Sequence, residues 1–304
     1  MRCGRLALCI LILAPVVGPA AGAGVDDPAV RRGAYVFRAA GCLSCHTDFK
    51  NKGAPLAGGR ALKTPFGTFY SPNITPDAET GIGGWSDADF ARAMGEGVAP
   101  DGSHYFPVFP YTAFTGMSAA DLADLKAYLD TVPAVRQTNR PHDVAAPFGW
   151  RFTMGPWKWL FFEPGPFRPD PERTAGWNRG AYLATALAHC GECHTPRNAL
   201  GGLDRSRWLA GAEDGPEGKP VPNITPHGAT GIGRWSAGDV GGLLKSGRKP
   251  DFDTIQGVMA EAIEHGYRYL SDGDRAAIAE YVMSLPPIDN RISAATTTTP
   301  SEYE

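Results

Sequence analysis

The chain has little of what a membrane-spanning, disulfide-bonded or nucleic-acid-binding protein needs. Only 6 of its 304 residues are cysteine. Its apolar run, at residues 6–17, is shorter than the roughly 20 residues that span a bilayer. Acidic residues slightly outnumber basic ones, 32 against 29, so no basic surface for nucleic acid is predicted. No segment shows the sustained alternation of apolar and polar residues that is typical of half-buried strands.

The N-terminus has the layout of a secretory signal peptide. Two arginines precede the apolar run, and small residues ending at Ala23 follow it. Residues 1–23 are therefore predicted to be removed on export to the periplasm, with an uncleaved membrane anchor as the alternative. Cys3 and Cys9 would leave with this segment, and four cysteines would remain.

Those four cysteines form two copies of a Cys-x-x-Cys-His motif. The motifs consist of Cys42, Cys45 and His46, and of Cys190, Cys193 and His194. Two thiols at this spacing can bond the two vinyl groups of one haem, and the adjoining histidine ligates its iron. A thioredoxin-like redox pair or half of a zinc site does not require that histidine. The motifs predict two covalently bound haem c groups and no disulfide or free thiol.

The rest of the sequence also occurs twice. Pro-Asn-Ile-Thr-Pro occurs at 72–76 and at 222–226. Trp85 corresponds to Trp235, at an offset of 150 (235 minus 85). Two long units indicate a gene duplication rather than a solenoid. Two domains are predicted, at residues 24–133 and 176–288. A linker rich in aromatic residues and proline joins them at 134–175, and a disordered tail follows at 289–304.

Each unit reads as a first helix, the haem motif, a long loop, a short helix, another loop and a final helix. The first helices are predicted at 28–41 and 176–189, where they carry Tyr35 and Tyr182 toward a core. Both domains are therefore expected to be all-α.

Four serines are predicted to begin the later helices. Ser86 and Ser236 are N-caps of the short helices. Ser118 and Ser271 open the final helices, each with an aspartate three residues later, which resembles a capping box with Asp in place of Glu.

The linker has two interpretations. Seven tryptophan, phenylalanine and methionine residues crowd positions 150–162. The favoured interpretation is that they pack into the seam between two domains, because large exposed aromatic patches are uncommon. The alternative is a docking surface for a partner or a membrane.

The second axial ligand differs between the halves. Met259 is predicted to ligate the C-terminal haem from a loop, because a thioether is a common sixth ligand. The offset of 150 places Phe109 at the equivalent position of the N-terminal half, and phenylalanine cannot bind iron. His104 and Met117 are the nearby candidates, with a surface loop and a hydrophobic staple as their ordinary roles. Met94 aligns with Leu244 and is predicted to be core. The first haem is therefore expected to be open or to carry a ligand other than methionine.

Other polar residues are assigned more ordinary roles. The Asn-Ile-Thr segments that begin at Asn73 and Asn223, together with Trp85 and Trp235, are expected to border the haem edge and to donate to the propionates, because buried carboxylates need donors. No ligand role is predicted for the remaining histidines, which are His142, His189, His227 and His265.

On these motifs the chain resembles the cytochrome c subunits of bacterial periplasmic alcohol and aldehyde dehydrogenases. The resemblance rests on both Cys-x-x-Cys-His motifs, on Gly-Ile-Gly-x-Trp at 81–85 and 231–235, and on His-Cys-Gly-Glu-Cys-His-Thr-Pro-Arg at 189–197. It covers nearly the whole chain after the signal. Those proteins have methionine in a Pro-x-Met-Pro-Tyr segment, which here reads Pro-Val-Phe-Pro-Tyr at 107–111, so the first haem's ligation does not carry over.

The resemblance implies two tandem class I cytochrome c domains and an electron carrier. The donor would be a periplasmic dehydrogenase and the acceptor a terminal oxidase or another cytochrome, with peripheral membrane association left open. Many members have a third haem domain that this sequence does not contain, and a quinone-oxidising role is not predicted. The alternative is a redox enzyme similar to dihaem thiosulfate dehydrogenases or peroxidases, in which the first haem meets substrate. A haem-based sensor is the least favoured class.

Overall fold

A computed structural model describes residues 26–293, and helices dominate it, as predicted. The N-terminal half contains five helices and the C-terminal half five more, with one helix in the segment between them. In chain order they are α1 Pro28–Ala39, α2 Cys42–His46, α3 Asp87–Glu96, α4 Tyr111–Phe114, α5 Ala119–Leu129, α6 Met154–Phe161, α7 Ala175–Tyr182, α8 Cys190–His194, α9 Ala237–Ser246, α10 Gly257–His265 and α11 Asp272–Met283. The predicted signal peptide, with Cys3 and Cys9, lies outside the described residues. No helix in residues 26–293 is long and apolar enough to cross a membrane.

A small antiparallel sheet was not predicted. Its strands are β1 (Ala61–Thr64), β2 (Gly67–Tyr70) and β3 (Asp143–Val144), in the order β1-β2-β3. The first two form a hairpin in which Leu62 pairs with Phe69. Strands of four and two residues are too short to show the alternation by which a strand is recognised in sequence.

The first and last helices of each half cross at a glycine. A Cβ atom on Gly33 of α1 would lie 1.9 Å from the carbonyl oxygen of Asp124 in α5. A Cβ atom on Gly180 of α7 would lie 1.8 Å from the carbonyl oxygen of Ala277 in α11. The repeated Arg-Gly-Ala-Tyr segment therefore supplies glycine at each crossing, and because glycine has no Cβ atom the two backbones can come into contact.

The second half has one inserted residue between its first helix and its haem motif. Cys42 follows Tyr35 by seven positions (42 minus 35), whereas Cys190 follows Tyr182 by eight (190 minus 182). After Tyr182 the chain forms a π-helical turn over Leu183–Leu187. A π turn accommodates one extra residue in a helix. The predicted helix at 176–189 thus ends in a bulge immediately before the haem motif.

The predicted caps of the short helices are confirmed. The Ser86 side chain accepts from the amide of Asp89, and the Asp89 side chain accepts in return from the amide of Ser86. Ser236 and Asp239 form the same capping box at the start of α9.

At α5 and α11 the capping box is completed by a tyrosine from the other half. Ser118 accepts from the amide of Asp121, as predicted. The amide of Ser118, however, donates to the Tyr182 hydroxyl at 3.1 Å, and that hydroxyl donates to the Asp121 carboxylate. The tyrosine hydroxyl thus stands between the two groups that bond each other directly in the capping boxes of α3 and α9. Tyr182 packs against the core, as predicted, and its hydroxyl also lies in the contact between the halves.

The two halves share one hydrophobic core. Phe37 and Leu125 of the N-terminal half belong to the same buried cluster as Leu183 and Ile278 of the C-terminal half. Division into two tandem domains is still a prediction from the repeat. The described residues pack without an interruption of the core between the halves.

The connecting segment belongs mainly to the N-terminal half. Met154 and Trp157 are buried in a second cluster with Phe69 and Phe106. The inner face of the segment is therefore packed away from solvent, as the favoured interpretation requires. The outward residues are exposed, and Trp159 has 85% of its surface accessible. The predicted packing of all these rings into a seam between domains is therefore wrong for the outer face of α6.

The first residues of the predicted disordered tail are held in place. Asn290 donates to the carbonyl of Ala210 at 2.7 Å, and the amide of Ser293 donates to Glu213 at 3.1 Å. In the N-terminal half, Gln137 donates to the carbonyl of Ala57 in the same way. The predicted tail boundary at residue 289 is thus too early, because the repeat continues through the residues that make these hydrogen bonds. Residues 294–304 lie outside the described range.

Candidate functional site

Each Cys-x-x-Cys-His motif folds as one short helix. In α2, Cys42 and Cys45 are three residues apart, and residues at that spacing lie on the same side of a helix. In α8, Cys190 and Cys193 have the same arrangement. All four thiols are free of disulfides. Paired thiols on one face, next to a histidine, form the donor set that covalent haem attachment requires.

The histidine of each motif is oriented by a backbone carbonyl. The Nδ1 atom of His46 lies 2.8 Å from the carbonyl oxygen of Pro72, and the Nδ1 atom of His194 lies 2.8 Å from that of Pro222. Occupation of Nδ1 leaves Nε2 as the ligating nitrogen and fixes the ring direction. This role of the two prolines was not predicted, although the repeated Pro-Asn-Ile-Thr-Pro segment could have indicated it.

Burial keeps both imidazoles neutral. It lowers the pKa of His46 and of His194, while the hydrogen bond to the proline carbonyl opposes that shift. A neutral imidazole is the form that ligates a metal. These two sites therefore fit the proximal side of a c-type haem, and they support the predicted ligand roles of His46 and His194.

Asn73 and Asn223 do not have the predicted role. The Asn73 amide donates to Val135 at 2.7 Å, and its oxygen accepts from both the amide and the hydroxyl of Thr75. Asn223 makes the matching bonds to Ile288 and Thr225. Both asparagines are 2% exposed. Their side chains stabilise the loop that presents the proline carbonyl, so they are not donors for propionates.

Met259 lies on a helix and not in the predicted loop. It is near the start of α10, half-buried, and packs against the shared core. Its predicted role as the distal ligand of the C-terminal haem stays a prediction that this position supports.

Phe109 occupies the equivalent place in the N-terminal half. Its ring centroid lies 5.5 Å from that of Tyr105, 6.4 Å from that of Tyr111 and 5.8 Å from that of Phe114. The ring packs against both hydrophobic clusters. An aromatic side chain with this packing provides no atom that ligates iron.

The two neighbouring candidates, His104 and Met117, are engaged elsewhere, and Met94 lies in the core. The Nδ1 atom of His104 lies 3.0 Å from the ammonium of Lys158, and the same ammonium donates to the carbonyls of Glu96 and Gly97. Met117 is 3% exposed, as is its counterpart Leu270. Met94 and its counterpart Leu244 are both 7% exposed. Apolar counterparts with equal burial indicate that both methionines are core residues. This confirms the prediction for Met94, whereas the staple role of Met117 stays a prediction.

The other histidines make ordinary contacts. His142 packs its ring against Phe69 and Phe106, and His227 bonds Thr230 at 2.8 Å. His265 stacks on Phe49. Within residues 26–293 no group of three or more histidine, cysteine, aspartate or glutamate side chains is arranged to hold a metal ion.

Comparison with known proteins gives consistent results. A sequence model of the cytochrome c family matches residues 30–133. A "Diheme cytochrome c-type" protein of Cereibacter sphaeroides is 46% identical over 267 residues, which cover 85% of this chain and 86% of that protein. The "Fructose dehydrogenase cytochrome subunit" of Gluconobacter japonicus is 41% identical over 266 residues. The "Alcohol dehydrogenase (quinone), cytochrome c subunit" of Gluconobacter oxydans is 36% identical over 301 residues.

The dehydrogenase subunits among these relatives are longer than the region that aligns. The matches cover 87% and 93% of this chain but only 54% of the Gluconobacter japonicus protein and 60% of the Gluconobacter oxydans protein.

Proposed function

The chain belongs to the cytochrome c family and resembles the dihaem cytochromes that serve dehydrogenases, and on that premise we propose that it is a periplasmic electron carrier with two haems. It accepts electrons from a periplasmic dehydrogenase and delivers them to a terminal oxidase or another cytochrome. One observation carries the proposal. Both halves present two thiols and an imidazole whose Nδ1 atom is held at 2.8 Å by a proline carbonyl.

The residues of this chain supply attachment and ligation. Cys42 and Cys45 would hold the N-terminal haem, and His46 would ligate its iron. Cys190 and Cys193 would hold the second haem, and His194 and Met259 would ligate its iron. When bound, haem c supplies reversible one-electron chemistry whose potential depends on the axial ligands and on burial.

The donor is proposed from the relatives. Three of them are named as cytochrome subunits of fructose, alcohol or gluconate dehydrogenases. Export to the periplasm is proposed from the N-terminal signal pattern at residues 1–23.

Haem counting tests the proposal. The protein is made in a host with haem-attachment machinery, and its mass and its covalent haem are measured after denaturation. The parent should carry two haems that resist acid–acetone extraction. The Cys190→Ala/Cys193→Ala variant and its matched counterpart, Cys42→Ala/Cys45→Ala, should each carry one. A parent with a single haem, or with haem that is extracted, contradicts the proposal.

A redox enzyme that acts at the first haem is the second candidate, and Phe109 favours it. The repeat places Phe109 where Met259 stands in the other half, and an iron without a sixth ligand from the protein would be accessible to a small substrate. Turnover of thiosulfate or peroxide by the isolated protein, lost in the Cys42→Ala/Cys45→Ala variant, would establish this activity. Electron transfer from a dehydrogenase without such turnover favours the carrier.

A further inference from the structure

The helix that carries Met259 has little support at its start. α10 begins after Gln256 without a hydrogen bond from a capping side chain, whereas α3, α5, α9 and α11 each begin at a serine that caps them. Of the nine residues of α10, only Ile263 is buried. A missing N-cap leaves the first turn of a helix less stable. The position of α10 therefore depends strongly on contacts made further along the helix.

The N-terminal half supplies those contacts. The Arg38 guanidinium donates to the carbonyl of His265 at 3.0 Å, and the Ser44 hydroxyl donates to the carbonyl of Glu261 at 3.3 Å. The Arg60 guanidinium donates to the Glu261 carboxylate. Among the described residues, every side-chain hydrogen bond that α10 makes has its partner in the N-terminal half. A helix of the second half is thus held by side chains of the first.

Arg60 joins α10 to the first haem-attachment helix. The Nη1 atom that donates to Glu261 also donates to the carbonyl of Ser44 in α2 at 2.6 Å. The Nη2 atom lies 3.9 Å from the carboxylate of Glu217, a second acid of the C-terminal half. The Arg60 side chain is 12% exposed, and solvent screens a partly buried ion pair less than an exposed one. Among the three donors to α10, Arg60 therefore makes the charged contact.

The anchored residue is close to Met259. Glu261 follows Met259 by two positions (261 minus 259), which is about 3 Å along the axis of a helix. Met259 itself packs against the shared core. Two residues of the same helical turn move together, so a contact that holds Glu261 also holds the Met259 side chain.

We propose that Arg60 is a positioning residue for Met259. It holds Glu261, fixes the position of α10 and thereby places the thioether of the C-terminal site from the N-terminal half. The inference rests on the proposed function, in which Met259 is an axial ligand. It adds that ligation in one half depends on an ion pair with the other.

The Arg60→Met variant removes the guanidinium and keeps an apolar stem. The backbone bonds between Arg60 and Ser71, at 3.1 Å and 3.0 Å, do not involve the Arg60 side chain and should persist. The oxidised, haem-loaded protein is titrated with imidazole, which competes with methionine for ferric iron. The imidazole concentration that removes half of the methionine charge-transfer band should fall severalfold in Arg60→Met. Arg60→Lys keeps the charge and a donor, and it should give an intermediate value.

Hydrogen exchange reports on α10 independently of ligation. The amides of residues 257–265 should exchange severalfold faster in Arg60→Met than in the parent, while those of α9 keep the parent rate. Glu261→Ala should change both measurements in the same direction. The double variant Arg60→Met/Glu261→Ala should add nothing to the larger single effect, because residues that act through one contact are not additive.

Tyr35→Phe is the matched control. It weakens the same contact between the halves, but the Tyr35 hydroxyl bonds Asp274 in α11 and not α10. It should leave the imidazole titration and the exchange of α10 at the parent values. Parent values in Arg60→Met, or equal changes in Tyr35→Phe, overturn the inference. A parent protein without the charge-transfer band contradicts ligation by Met259 in the proposed function, and the exchange of α10 then decides the role of Arg60 by itself.

Discussion

The hydroxyl of Tyr35 donates a 2.6 Å hydrogen bond to Asp274, a residue 239 positions later in the chain. The same hydroxyl accepts from the amide of Ser271 at 2.9 Å. The counterpart, Tyr182 with Asp121 and Ser118, makes the same contacts in the opposite direction. The two halves thus complete each other's final helix, and this exchange explains how a duplicated sequence forms one body with a common core.

Removal of a bridging hydroxyl should weaken this contact. In Tyr35→Phe the amide of Ser271 loses its partner and Asp274 loses a donor. The free energy of unfolding should fall by about 1–3 kcal/mol, the cost of an unsatisfied polar group. Denaturant unfolding of the haem-loaded protein measures the change. Tyr269→Phe is the matched control, because that tyrosine is 54% exposed, and it should change stability by less than about 0.5 kcal/mol. Equal stability of the two variants would show that the bridge is not stabilising.

Acid should weaken the same contact. Burial raises the pKa of Asp274, but hydrogen bonds from Arg179 and Tyr35 outweigh it, and the net shift is downward. A folded pKa below the unfolded value of about 4 means that this group stabilises the protein above that pH. The contribution is lost as the pH falls through the folded pKa. The fall in stability between pH 7 and acidic pH should therefore be smaller in Asp274→Asn than in the parent, as measured by unfolding at a series of pH values. An identical pH profile would contradict this assignment.

The sequence predicted the local features well. The helix caps at Ser86 and Ser236 and the core role of Met94 depend on residues near one another in the chain or on the internal repeat. A duplicated sequence acts as its own comparison, because each position has a counterpart whose chemistry limits the interpretation.

Contacts between the halves could not be predicted in this way. Tyr35 and Tyr182 look like core residues of a helix, and nothing nearby in sequence indicates that their partners lie in the other half. The π turn could have been found, since the offset between the halves changes from 147 (182 minus 35) to 148 (190 minus 42) there. Asn73 was misassigned because a buried polar side chain can serve a ligand or the backbone, and only the coordinates identify which.

Loss of the Met259 thioether should change only the second haem. A methionine ligand favours the ferrous iron and raises the reduction potential. In Met259→Ala the weak charge-transfer band of methionine-ligated ferric haem should disappear, and one of the two midpoint potentials should fall. Met117→Ala is the control, and it should retain the band while destabilising the core in which Met117 is 3% exposed. A parent spectrum in Met259→Ala would remove Met259 from the ligand set.

The difference between Phe109 and Met259 should make the two haems respond differently to carbon monoxide. If Phe109 occupies the ligand position without a substitute, the reduced first haem binds carbon monoxide at neutral pH. As the sixth ligand of the second haem, Met259 would protect that iron from carbon monoxide. Titration of the reduced protein should therefore reach saturation at one carbon monoxide per two haems.

Two substitutions assign that binding to the first haem. Phe109→Met should abolish it, because a thioether at this position restores the sixth ligand. His104→Ala should leave it unchanged, because the His104 imidazole is held at 3.0 Å from Lys158. If the parent binds no carbon monoxide and His104→Ala does, then His104 leaves Lys158 to ligate the iron, and the first haem is a pure relay. Binding of one carbon monoxide per two haems would agree with both an electron carrier and an enzyme. Turnover with thiosulfate or peroxide then separates them, because an open haem can carry electrons without meeting a substrate.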